Sequence, residues 1–142
     1  MDVLSAVENY LRHRRFSKER GVYKVTDKGP DLVMKSPGGA VLSVEGKGQT
    51  SSQRHTHRYG KEFTKSQKED HLGRALVKAT RFVSYEESQE ECGRFAIALP
   101  GDPVNLELIY ERSWALERLD VGVFSVSPHD RGVKLLVGVL PY

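Results

Sequence analysis

Asp31, Glu45 and Lys47 place two carboxylates and an ammonium on what reads as one β-hairpin. The runs Asp31–Lys35 and Ala40–Lys47 flank Ser36-Pro37-Gly38-Gly39, and two β-rich runs around a Pro/Gly turn form a hairpin. With Lys35 facing Ala40, Asp31 falls opposite Val44 and beside Glu45. Side chains alternate along a strand, so Glu45 and Lys47 share one side and Gly46 takes the other. The three charged groups then converge at the open end of the hairpin. Two carboxylates with water and a backbone carbonyl suit a hard divalent cation such as Mg²⁺, which also relieves their mutual repulsion. A lysine beside them can hold, or help deprotonate, a water that attacks phosphorus. The competing reading makes Asp31 a turn residue and Glu45/Lys47 an ordinary same-face pair on an edge strand.

Two further polar sets lie downstream. Gln67, His71, Arg74 and Lys78 recur at i, i+4, i+7 and i+11, so they share one helical face beside an apolar stripe. His71 has an ordinary pKa near neutrality, which suits a proton shuttle or a phosphate contact. The alternative is a solvated flank. Arg54, His55, His57, Arg58, Tyr59, Lys61 and Lys65 form a basic set opposed only by Glu62. Lys and Arg neutralise phosphates, and Tyr59 offers a ring on which an exposed base can stack. His55-x-His57 has no second Cys or His pair at zinc spacing. Cys92 is the one cysteine, flanked by acids that raise a thiol's pKa, so it reads as unreactive.

These residues need elements to position them. Val3, Leu4, Val7, Tyr10 and Leu11 have helical spacing, which predicts a first helix over 3–15. Val22–Thr26 reads as a short strand that joins the hairpin in a three-strand meander. Residues 48–64 carry no usable period, a long irregular stretch of the kind that is usually functional or mobile. Leu72, Ala75, Leu76, Ala79, Phe82 and Val83 mark a second helix over 66–85. Phe95–Leu99 reads as a strand. Asp102-Pro103 then reads as an N-cap followed by proline at the first helical position. The third helix, 104–119, is expected to bury Leu108, Ile109, Ala115, Leu116 and Leu119. Val121–Val126 is apolar enough to be buried on both faces, and Val133–Leu140 is a last strand or edge segment. Strand–helix–strand units imply parallel pairing with right-handed crossovers, so the fold class is α/β with a mixed central sheet flanked by helices.

Pro30-Asp31 followed by Glu45-Gly46-Lys47 at the end of the next strand resembles the PD-(D/E)xK nuclease superfamily. The inferred order α-β-β-β-α-β-α-β is similar to that family's restriction-endonuclease-like core. The resemblance implies that Asp31 and Glu45 bind Mg²⁺ (Mn²⁺ as a substitute), with the Gly46 carbonyl as a further ligand. It implies that Lys47 positions or activates the water. Glu8 on the first helix and Gln67 on the second match supporting positions in branches of the family. The expected activity is hydrolysis of phosphodiester bonds in DNA, although nothing in the residues separates DNA from RNA. The Arg54–Lys65 set and His71 would hold the nucleic acid, and a homodimer is expected by the same resemblance.

Composition bounds these readings. The chain has 142 residues, 38% hydrophobic and 29% charged, which is enough for one packed domain over 1–142 and too apolar for wholesale disorder. No apolar run approaches the roughly 18 residues of a membrane span. The first helix begins with Asp2 and ends in arginines, the reverse of a secretory leader, so the expected location is cytoplasmic. Residues 1–85 carry 17 Lys+Arg against 9 Asp+Glu, and residues 86–142 carry 5 against 10. A basic front and an acidic back fit an anionic partner meeting one face. The rival to an enzyme is a nucleic-acid-binding module or scaffold subunit that keeps the fold without catalysis.

Overall fold

The computed structural model describes residues 2–19, 30–47, 63–89 and 93–141, with side chains in the second helix described through residue 84. Helix α1 spans Val3–Arg12 and is capped by Asp2, whose carboxylate accepts from the Ser5 N–H (3.2 Å) and hydroxyl (2.6 Å). It ends three residues short of its expected end. Arg15 turns left-handed (φ 67°), and the Phe16 N–H donates back to the Leu11 carbonyl at 3.0 Å. That turn drops Phe16 into the core. Strands β1 (Ser17–Lys18), β2 (Leu32–Lys35) and β3 (Val41–Gly46) follow. The expected strand at 22–26 lies outside the described residues, and β1 takes the place beside β2.

Helix α2 spans Lys65–Gln89, β4 Gly93–Pro100, α3 Pro103–Arg118, β5 Val121–Val126 and β6 Val133–Val137. Asp102 caps α3 with proline at its first position, as its local sequence predicts. The result is a mixed α/β fold.

The six strands lie in sequential order, β1-β2-β3-β4-β5-β6. β1–β2, β2–β3 and β5–β6 are antiparallel, while β3–β4 and β4–β5 are parallel. Two right-handed crossovers that step in the same direction must put α2 and α3 on the same sheet face. The opposite face is left to α1. Burial follows this division. Val7 and Leu11 of α1 pack with Met34, Leu42, Val44, Ala96, Ala98 and Phe124. Leu72, Ala75 and Ala79 of α2 and Leu108, Ile109 and Leu116 of α3 pack with Phe95, Ile97, Val121 and Val123. β4 is therefore covered on both sides, which its unbroken apolar run Phe95–Leu99 requires. Ala115 and Leu119 are exposed rather than buried, because α3 turns a narrower face to the sheet than its apolar content suggests.

The hairpin register differs from expectation by one residue: Lys35 pairs with Val41 and Leu32 with Val44. The loop explains the shift. Gly39 N–H donates to Ser36 O at 3.0 Å, and Ser36 N–H to Ala40 O at 2.8 Å, with Gly39 left-handed at φ 95°. A type I turn followed by a left-handed glycine adds one residue to the returning strand.

Candidate active site at the open end of the hairpin

Continuing the observed register one step sets Asp31 opposite Glu45, where the shorter turn would have set it opposite Val44. Leu32, Met34, Leu42 and Val44 all face α1, so alternation sends Asp31, Ser43 and Glu45 to the α2 side. Asp31 is exposed, and its Oδ2 accepts from the Gly46 N–H at 3.0 Å, which closes the end of the hairpin. Gly46 faces α1, where Leu4 packs over its Cα.

Glu45 is only 3% exposed and lies on an interior strand between β2 and β4. That excludes the reading of Glu45 and Lys47 as a surface pair on an edge strand. Lys78 Nζ donates to Glu45 Oε1 at 2.9 Å, and Lys47 Nζ lies 3.7 Å from the same oxygen. Glu45 Oε2 is buried with no hydrogen-bond partner among the described residues, as is the hydroxyl of Ser43 two residues earlier on the same face. Buried carboxylate oxygens are normally satisfied, which sets this one apart.

Helix α2 delivers its polar face because it runs antiparallel to β3. As β3 advances from Glu45 to Lys47, α2 retreats from Lys78 to His71. Burial holds His71 below the usual imidazole pKa, and the neighbouring positive charge of Lys47 adds to the effect. The His71 ring stands edge-on to Phe63, centroids 4.4 Å apart. A hollow of about 10 Å³, the size of one water, is lined by Lys47, Lys68, His71, Leu72, Leu99 and Asn105. Beneath it, Lys68 Nζ pairs with Asp102 Oδ1 at 3.2 Å, both side chains buried.

Other expected site residues have the following partners. Glu8 is engaged by Arg12 Nε (3.1 Å) and Lys18 Nζ (3.3 Å), and the Arg12 hydrogen bond, with help from Lys18, holds its carboxyl below the ordinary range. Its ion pairs tie α1 to β1, and Leu4, one turn earlier, is the α1 residue that meets Gly46. Gln67 closes a capping box. Its Oε1 accepts from Thr64 N–H at 2.9 Å, and Gln67 N–H donates to Thr64 Oγ1 at 3.3 Å. The pattern Thr64-x-x-Gln67 carries that signal in the sequence. Arg74 points outward to Asp70 at 3.2 Å. Lys65 is exposed at the start of α2, whereas Arg54, His55, His57, Arg58, Tyr59 and Lys61 lie outside the described residues.

No protein-family model matches the chain, and no curated protein does. Among solved structures, SfsA of Pyrococcus furiosus in complex with Ca²⁺ is similar over 96% of this chain, at 16% identity and a TM-score of 0.34. The chain spans 61% of that protein's length. Among the described residues, no helix is long and apolar enough to cross a membrane.

Among the described residues no group of three or more His, Cys, Asp and Glu side chains is gathered as a metal cluster. Asp31 and Glu45 are two oxygen donors that the register and strand alternation set on one face of neighbouring strands. Glu45 Oε2 is unpartnered, and the hydrogen bond to Gly46 uses only one oxygen of Asp31. Water and a backbone carbonyl would have to complete the coordination. Lys78, which lies on the expected polar face of α2, is the site residue that sequence reasoning did not place against Glu45.

Proposed function

We propose that the chain is a metal-dependent phosphodiesterase acting on nucleic acid, with DNA as its substrate. The observation that carries this reading is Glu45, a buried carboxylate with an open oxygen, set across the hairpin from Asp31 and beside Lys47. Asp31 and Glu45 would hold Mg²⁺ or Mn²⁺, with the Gly46 carbonyl adjoining them. The bound ion would supply Lewis-acid polarisation of the phosphate and a more acidic water. Lys47 orients that water and stabilises charge at the phosphate oxygens. His71, held below the usual imidazole pKa by burial and by Lys47, shares the one-water hollow with Lys47 and would accept a proton there. Lys65 and the basic set at 54–61 supply backbone contacts that neutralise phosphates.

The test is incubation of the purified protein with plasmid and with labelled oligonucleotides in Mg²⁺, beside Asp31→Ala and Lys47→Ala. Cleavage by the wild type alone supports the reading, and equal cutting by all three refutes it. A second reading, a binding module without catalysis, is favoured by the two lysines that already neutralise Glu45. It predicts salt-sensitive binding that is indifferent to chelator and to Asp31→Asn.

A further inference from the structure

We infer that Lys78 is a built-in counter-ion for Glu45, which holds the carboxylate in place without a metal and lowers the site's affinity for one. The inference rests on the reading of Asp31 and Glu45 as metal ligands. Lys78 is the nearer of the two ammoniums to Glu45 Oε1, at 2.9 Å against 3.7 Å for Lys47. The Lys78 side chain is 42% exposed while that of Glu45 is 4% exposed, so its ammonium spans the boundary between a buried oxygen and solvent. Lys78 can move into water only by giving up this ion pair, whereas Glu45 cannot move out at all. The second carboxylate oxygen is left open, so the pair is half complemented.

A divalent ion on either oxygen would stand within about one carboxylate's width of the Lys78 charge. Magnesium ligands sit at about 2.0–2.1 Å, so on a shared oxygen the ion and the ammonium would stand only about 4 Å apart. With the ion on the other oxygen, a single and a double positive charge would face each other at about 5 Å. Even at a bulk-water dielectric that repulsion changes affinity on the order of tenfold. Lys47 is a weaker competitor by distance. Lys78 therefore sets the ion concentration at which the site fills, and it keeps Glu45 oriented until then.

The experiment is calorimetric titration of Mn²⁺ alone into wild type, Lys78→Gln, Lys78→Arg and Glu45→Gln. Circular dichroism melts serve as the check on folding. Lys78→Gln is expected to bind Mn²⁺ on the order of tenfold more tightly than wild type, Lys78→Arg to match wild type, and Glu45→Gln to lose binding. Should Lys78→Gln bind no more tightly while Glu45→Gln loses the ion, the counter-ion role is overturned and the metal site stands. If Glu45→Gln binds as well as wild type, the reading of the site falls, and the counter-ion role with it.

Discussion

Leu4 of α1 occupies the space in which a side chain at position 46 would stand: a β-carbon added to Gly46 would lie 2.6 Å from Leu4 Cγ. The opposite face of the sheet carries Glu45, so packing by α1 bears directly on the peptide that joins Glu45 to Lys47. Gly46→Ala must displace Leu4, which packs against the α1-side core. Overpacking of this kind costs about 1–3 kcal/mol. The expected result is a lower urea midpoint, largely recovered when Leu4→Ala is added to Gly46→Ala. A double-mutant cycle with coupling below about 0.5 kcal/mol would show that the two residues do not share this space.

Lys68 and Asp102 form a buried ion pair where α2 passes the start of α3. Asp102 has two tasks. Its Oδ1 accepts from the Asn105 N–H at 2.9 Å as the α3 cap, and its Oδ2 accepts from Asn105 Nδ2 at 2.9 Å. Asp102→Asn retains a capping side chain but removes the negative charge, which separates the two contributions. Leaving a buried ammonium without its counter-charge costs about 3–5 kcal/mol. Asp102→Asn is therefore expected to lose most of what Asp102→Ala loses in chemical denaturation. A variant within about 0.5 kcal/mol of wild type would mean that only the cap matters.

His71 offers a pH signature of the site that does not depend on activity. Its folded pKa is lowered, first by burial and then by Lys47. The unfolded chain therefore takes up the proton more readily, and stability falls as pH drops below the ordinary value near 6.5 toward the folded one. Above 6.5 the contribution is fully present. A titration of imidazole resonances by NMR should place His71 below that ordinary value. Lys47→Met should raise it part of the way, because burial remains. No movement on Lys47→Met would separate His71 from the site.

What could be read from the sequence was mostly local. The α3 cap at Asp102-Pro103 is a short-range pattern, and it stands where it was expected. The hairpin was equally legible, but its register depended on the left-handed Gly39, an arrangement that Pro37 and Gly39 hint at and a simple turn count misses. That single residue decides whether Asp31 faces Val44 or Glu45. Family likeness assigns Glu8 to the site, while the structure shows it paired with Arg12 four residues on, a spacing that announces an ion pair. The Lys78–Glu45 contact links residues 33 apart and follows from the antiparallel run of α2 along β3, which no local pattern encodes.

Glu45 itself gives a prediction that separates function from folding. A buried carboxylate with an unpartnered oxygen is a poor choice for stability, since its desolvation is only partly offset by Lys78 and Lys47. Both lysines are partly exposed and can reach water once the carboxylate charge is gone. Glu45→Gln is therefore expected to unfold within about 1 kcal/mol of wild type, or later, in chelator. In saturating Mn²⁺ the wild type should gain stability, by about 2.7 kcal/mol at one hundred times its dissociation constant, and the variant should gain none. Thermal melts of both proteins with chelator and with Mn²⁺ measure the two effects together. A variant that melts far below wild type in chelator would assign Glu45 to the structure of the sheet, and an equal Mn²⁺ shift in both proteins would place the ion elsewhere.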